Sequence, residues 1–169
     1  MDAAFKDPKL RSYLPSLTFS KKLKLHSGDK TIKLFHFGPA HTSGDIVVYF
    51  PDEKVAFLGD ILFLGRDPLI HKHKNGNSFG LVKTLKSILK LDADTFIHGH
   101  GDIASPSDVE GVIKSLEEKQ TKIKVLIKEG KSLEEIKKIF NVEDRPPRPG
   151  ERRWLSLVET IYLELTEKK

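Results

Sequence analysis

A chain of 169 residues, 38% of them hydrophobic, is long enough to bury one core, and no apolar run approaches the roughly eighteen residues of a membrane span. The sequence therefore predicts one soluble domain over 1–169, and the lack of a signal-peptide pattern predicts a cytoplasmic location. The absence of cysteine excludes disulfide bonds and thiolate metal ligands. The net charge of +5 does not indicate nucleic-acid binding, because the lysines are interleaved with glutamates along predicted helices. Abundant charged residues and few heat-labile ones predict a thermostable protein.

Strands are predicted in the first part of the chain. After an irregular arm over residues 1–15, the pattern predicts an antiparallel hairpin over 17–37 with its turn near Gly28. Residues 45–50 and 55–58 are β-branched and apolar, so they predict a second strand pair. These two runs do not alternate with polar residues, which predicts a sheet buried on both faces. The chain's own helices can cover one face, and the other face then needs a partner layer.

Four amphipathic helices and one further strand are predicted in the rest of the chain. The helices are predicted over 78–90, 107–129, 132–140 and 151–168, and the strand over 96–97. Ser107 and Ser132 each stand three residues before a glutamate, the spacing of a capping box. The proline-rich segment 145–150 predicts a non-helical connector, and the apolar stripe of the last helix begins at Trp154. The predicted fold class is α/β (α+β), with one mixed sheet and flanking helices.

Three chemistry-bearing residues each follow a predicted strand. They are His41, Asp60 and His100. Two imidazoles and a carboxylate presented from loops at strand ends suit Zn²⁺, with Fe²⁺ or Mn²⁺ as alternatives, and leave coordination positions for water. Such a site generates a nucleophile near neutral pH, so Asp60 is the predicted catalytic residue. In the competing interpretation the chain is metal-free, and the three side chains hydrogen-bond to loop backbones.

Three motifs around these residues resemble the metallo-β-lactamase superfamily. They read Gly38-Pro-Ala-His41-Thr-Ser-Gly-Asp45, Phe57-Leu-Gly-Asp60-Ile-Leu-Phe63 and Ile97-His-Gly-His100-Gly101. The resemblance implies that His41 is the last histidine of a first metal site, that Asp60 bridges two metals and that His100 binds the second. The family's earlier His-x-His-x-Asp-His motif is absent, since no histidine precedes His26. The resemblance therefore implies a truncated domain, an incomplete αββα sandwich.

Five further residues are weaker candidates for a place near the site. Asp45 is placed to orient a ligand or to cap its loop. Arg66 would line a substrate entrance or pair with its neighbour Asp67. His71 and His73 would supply replacement ligands, although a polar surface loop is the favoured interpretation. His98 should point away from His100 along an extended backbone, which predicts a position behind the ligands or at the surface.

These observations lead to two functional hypotheses. In the first, the protein is a hydrolase in which metal-activated water attacks an ester, thioester or phosphoester, with the site completed by another chain. That chain would be a second copy, giving a homodimer, or a complementary N-terminal half. In the second, the protein is a non-catalytic remnant or interaction module that binds a partner through its uncovered sheet face. The sequence is also compatible with a fragment of a longer protein.

Overall fold

The sheet has five strands, and its order along the sheet follows the chain. In a computed structural model, residues 15, 17–143 and 153–167 are described. The strands are β1 (Lys22–Ser27), β2 (Lys30–Phe35), β3 (Val47–Phe50), β4 (Val55–Gly59) and β5 (Thr95–His98). The first four are antiparallel neighbours and β5 runs parallel to β4, so the predicted mixed sheet is confirmed. Apart from Pro15, the predicted arm over 1–15 lies outside the described residues, as does the connector over 145–150.

The two edges of the sheet differ. At the β5 edge, Phe96 and Ala104 exchange two backbone hydrogen bonds of 2.8 Å, so a neighbouring segment continues the pairing. At the other edge β1 pairs with β2 through the predicted hairpin, whose turn contains Gly28 at φ +61°. Lys22 and Lys24 lie on this edge strand, and both are exposed.

The helices are capped by side chains that accept from their first turns. They are α1 (Ser78–Ile88), α2 (Pro106–Lys128), α3 (Leu133–Ile139) and α4 (Leu157–Thr166), and a short 3₁₀ helix spans Lys72–Lys74. The capping box predicted at Ser132 is confirmed. The one predicted at Ser107 is wrong, because Ser105 forms the box with Asp108 and leaves Pro106 at the first helical position, where its missing N–H costs nothing.

The last helix begins later than predicted. Its N-cap is Ser156, whose side chain accepts from the backbone N–H of Glu159 and completes a third capping box. Trp154, predicted to begin the apolar stripe of this helix, instead precedes it in irregular backbone. The helix itself packs against α2, α3 and α1. The indole is therefore not part of the helix, and it contacts His71 in the loop that follows β4.

One face of the sheet packs under the helices. Val47, Tyr49, Ala56, Leu58 and Phe96 point to this face and are buried in a single cluster with the apolar residues of the helices. The phenol of Tyr49 donates to the carbonyl of Asp92 at 2.7 Å, which satisfies its polar end within the core. The cluster fixes the positions of the strand ends that carry the candidate site.

The other face, called the open face here, is also apolar. Paired residues in a sheet point to the same side, so the strand register assigns nine apolar residues to it. They are Leu23, Leu25, Ile32, Leu34, Val48, Phe50, Val55, Phe57 and Ile97. None of the nine is buried, and Phe57 is 41% exposed. Within the described residues, the helices thus cover only one of the two faces predicted to be buried.

Candidate metal centre

Asp60 and His100 lie just beyond the ends of the parallel strands β4 and β5. Parallel strands end at the same edge of a sheet, so the residues that follow them meet. The backbone N–H of Gly99 donates to the carbonyl of Gly59 at 2.9 Å and ties the two ends together. A Cβ atom at Gly99 would collide with Oδ1 of Asp60, so a side chain at this position would displace the carboxylate. As a result, Nε2 of His100 lies 3.2 Å from Oδ1 of Asp60.

His41 approaches the same carboxylate from its other oxygen. Its Nε2 lies 3.7 Å from Oδ2 of Asp60, and its side chain is almost fully buried. Its Nδ1 is 2.6 Å from the carbonyl oxygen of Leu69. A carbonyl only accepts, so Nδ1 carries a proton and the imidazole is fixed in one orientation. A ligating histidine typically has a partner of this kind on its other ring nitrogen.

The loop that carries His41 is held by Asp45 and by its neighbours. Both carboxylate oxygens of Asp45 accept from Thr42, one from its backbone N–H at 2.8 Å and one from its hydroxyl at 2.6 Å. Asp45 was predicted either to orient a ligand or to cap its loop, and its contacts with Thr42 are those of a capping residue. At Gly76 a Cβ atom would collide with the carbonyl of His41, so the chain leading into α1 packs directly on this loop.

The donor chemistry of the three side chains fits a divalent metal ion. In a neutral His41 protonated at Nδ1, the lone pair of Nε2 faces the carboxylate of Asp60. Two electron-rich atoms then face each other, and a cation or a proton between them stabilises the arrangement. Across the described residues, no group of three or more His, Asp or Glu side chains is already spaced to hold an ion. Ion binding would therefore require some of these side chains to change position.

His71 lies beside the candidate ligand His41, contrary to the favoured interpretation of its loop as polar surface. Its ring packs edge-on against that of His41, with centroids 4.3 Å apart, and against Trp154 at 4.7 Å. Burial, and to a lesser degree His41, hold the pKa of His71 below its ordinary value. His73 fits the surface interpretation better, because it is exposed, with its ring 5.2 Å from that of His71.

Comparison with known proteins identifies the family. A family description of the metallo-beta-lactamase superfamily matches residues 5–100, more than half of the chain, and the match includes His41, Asp60 and His100. The chain belongs to the metallo-β-lactamase superfamily. Members of that superfamily typically bind metal.

The similar proteins are longer than this superfamily member. Hydroxyacylglutathione hydrolases from Brucella ovis and Brucella abortus are each 35% identical to it in an alignment of 95 positions that covers 48% of this chain and 35% of theirs. The chain thus spans about a third of the length of these relatives.

Two solved structures share the fold. A metallo-beta-lactamase from Pontibacter korlensis is 19% identical, with a TM-score of 0.53 over 61% of this chain and 49% of that one. A metallo-beta-lactamase family protein from Thermus thermophilus is 17% identical, with a TM-score of 0.57 over 67% and 39% of the two chains. The predicted family resemblance and fold class are confirmed, since the mixed sheet and helices resemble those of metallo-β-lactamases.

On its exposed side, the candidate site of this superfamily member continues into a groove. The ring of His100 stacks on Phe63, with centroids 5.5 Å apart, and the guanidinium of Arg66 lies 4.8 Å from the centroid of the same Phe63 ring. The predicted alternative of an Arg66–Asp67 pair is wrong, because Asp67 pairs with Lys119 at 2.5 Å. Phe63 and Arg66 line a groove of about 510 Å³ that extends to the first turns of α2.

His98 lies behind the ligands rather than at the surface. Its side chain is buried, and its Nδ1 accepts from the backbone N–H of His100 at 3.4 Å. Its Nε2 is buried without a hydrogen-bond partner among the described residues. The side chain therefore contacts the backbone of the candidate ligand His100. Of the two predicted positions, behind the ligands or at the surface, it occupies the first.

Two groups near the candidate ligands are not predicted from the sequence. The first is the carbonyl of Leu69, because a backbone acceptor is available at every residue. The second is Trp154, because its position fits the apolar stripe predicted for the last helix.

Within the described ranges, no helix is both long and apolar enough to cross a membrane.

Proposed function

We propose that this chain provides the metal centre of a hydrolase, with His41, Asp60 and His100 as ligands. The observation that carries the proposal is the convergence of two imidazole Nε2 atoms on opposite oxygens of one carboxylate, at 3.7 and 3.2 Å. A divalent ion held there would polarise an acyl or phosphoryl oxygen and activate water near neutral pH. Zn²⁺ is the expected ion, and Fe²⁺ or Mn²⁺ are alternatives.

Each side chain has a distinct role in this proposal. Asp60 is the central ligand because it is the group that both histidines contact. The carbonyl of Leu69 keeps His41 in the tautomer whose Nε2 can bind. His100 stands on the exposed side, where Phe63 holds its ring by stacking. Substrate would approach from this side, since His41 is buried and His100 is not.

The proposed substrates are esters, thioesters or phosphoesters, and thioesters come first. Hydroxyacylglutathione hydrolases are similar to about half of this chain, and their name describes a thioester substrate. The groove beside His100 has room for an acyl or carrier group, and Arg66 places a positive charge at its wall. This charge favours a substrate with an anionic group near the reacting carbonyl.

A second chain completes the site in this proposal. Catalytic zinc sites use three protein ligands and one water, whereas two bridged ions need more donors than three side chains provide. The open face supports a covering layer, because its nine apolar residues form a surface that seldom remains exposed in a water-soluble protein. The partner would be a second copy or a complementary N-terminal half.

Elemental analysis of the protein tests the metal centre directly. After zinc loading and size exclusion, we expect at least one tightly held ion per wild-type chain, and much less in His41→Ala and His100→Ala. His26→Ala is the matched control, because His26 lies exposed on the hairpin, outside the candidate site. Wild-type protein that elutes without metal would contradict the proposed enzyme. Metal-loaded protein would next be tested for hydrolysis of a hydroxyacyl-glutathione thioester.

The open face also supports a second candidate function, an interaction module without catalysis. Phe57 at its centre is 41% exposed and packs edge-on with Phe50 at 5.7 Å, so a large apolar surface is available to a partner. An interaction module would keep its oligomeric state in Asp60→Ala, whereas Phe57→Lys would reduce the mass measured by sedimentation. A wild-type monomer at micromolar concentration would argue against self-association.

A further inference from the structure

His71 has a buried ring nitrogen that no described residue satisfies. Its Nδ1 is inaccessible to solvent and has no hydrogen-bond partner among the described residues. Buried polar atoms are nearly always paired, so an unpaired one needs an explanation such as a bound ion. The imidazole is also confined on two sides, by His41 at 4.3 Å and by Trp154 at 4.7 Å between ring centroids.

The backbone keeps His71 in place beside the candidate ligand. Its N–H donates to the carbonyl of His41 at 2.9 Å, and its own carbonyl accepts from Lys74 at 2.8 Å and from Gly76 at 3.0 Å. The first bond ties His71 to the loop of His41, and the other two hold it against the 3₁₀ turn over Lys72–Lys74. The position of the ring therefore follows from the local backbone and does not depend on a flexible surface loop.

We infer that His71 is a further protein ligand of the proposed ion, on the His41 side of the Asp60 carboxylate. The inference rests on the proposed function and adds a fourth donor to it. His41 faces Oδ2 of Asp60 and His100 faces Oδ1. Because the ring of His71 contacts that of His41, the inference assigns His71 to the Oδ2 side. An ion held by His41, His71 and Asp60 has a two-histidine, one-carboxylate set with positions left for water.

This ligand assignment is compatible with hydrolysis even when His100 also binds. Catalytic zinc expands to five-coordinate geometry, and six-coordinate ions retain still more positions for water. The neighbour His73 provides the internal comparison. It is two residues away and also contacts Trp154, with centroids 5.7 Å apart, but it is exposed, and its ring lies 5.2 Å from that of His71.

Cobalt binding to cysteine variants tests the assignment directly. The chain contains no cysteine, so a thiolate-to-cobalt charge-transfer band in the near ultraviolet would arise only from an introduced thiol. We expect this band when Co²⁺ is added to His71→Cys, and we expect its absence in His73→Cys. Co²⁺ is the probe, and the full chain is used.

A phenylalanine variant separates ligation from packing. His71→Phe keeps an aromatic ring between His41 and Trp154 but removes both nitrogens, so Co²⁺ affinity should fall by at least about tenfold, while His73→Phe should match wild type. Wild-type protein that binds Co²⁺, together with a His71→Cys variant that shows no band, would overturn the assignment and leave the proposed centre intact. A wild-type chain that binds no Co²⁺ would overturn both.

Discussion

Replacing Asp60 with asparagine will lower Zn²⁺ affinity by more than about 100-fold, because loss of an outer partner of a ligand alone costs about 10–100-fold. Asparagine keeps the shape of the side chain and removes its charge. The Nε2 atoms of His41 and His100 then lose the carboxylate that both of them contact. Calorimetric titration of the metal-stripped protein measures the affinity, and hydrolysis of a thioester by loaded protein should be lost in parallel.

Asp67→Asn is the matched control for this experiment. Asp67 follows the same strand but pairs with Lys119 outside the cluster, so its removal should leave Zn²⁺ affinity within about twofold of wild type, as expected for a surface ion pair. Equal affinity of Asp60→Asn and wild type would show that metal, if bound, is held elsewhere.

Truncation of Phe96 to alanine will destabilise the fold by about 3–5 kcal/mol. Phe96 is fully buried on β5, at the centre of the cluster that joins the sheet to the helices. The cavity left by its ring cannot be filled by rigid neighbours, so the lost transfer energy and the cavity cost add. Chemical denaturation of wild type and variant, followed by circular dichroism, gives the difference in the free energy of unfolding.

Phe57→Ala on the opposite side of the sheet is the informative comparison. Phe57 is adjacent in sequence to buried residues of β4 but points to the open face, where its ring is 41% exposed and contacts Phe50. In the chain alone, without the proposed covering partner, its truncation should cost about 1 kcal/mol, mainly from this aromatic pair. A cost equal to that of Phe96→Ala would mean that the open face is covered in solution.

The regular elements were largely predictable because their signals are local. Ser132 and Glu135 mark the start of α3 by a pairing that operates within four residues. The errors arose where two local signals competed. Ser107 has the capping-box spacing with Glu110, but Ser105 is the N-cap of α2 because Pro106 is suited to the first helical position. Trp154 fits the apolar period of α4, but the helix begins only after its N-cap, Ser156, so the indole precedes it.

The candidate site was only partly predictable. The contacts of Asp60 with His41 and His100 follow from residues placed after strands, because strand order brings such positions to one edge. The place of His71 depends on the path of the loop after β4, which is fixed by backbone hydrogen bonds to the His41 loop. Such bonds use groups that every residue has, so sequence spacing did not reveal them.

The two edges of the sheet bear on how copies of this chain can associate. Amyloid-like growth requires a strand with free backbone groups that another chain can extend. The reciprocal bonds between Phe96 and Ala104 remove that opportunity beside β5, and Lys22 and Lys24 place repelling charges on β1 at the far side. Among the described residues, fibrillar strand addition is thus disfavoured at both edges of the sheet, and the partner proposed above would contact the open face instead.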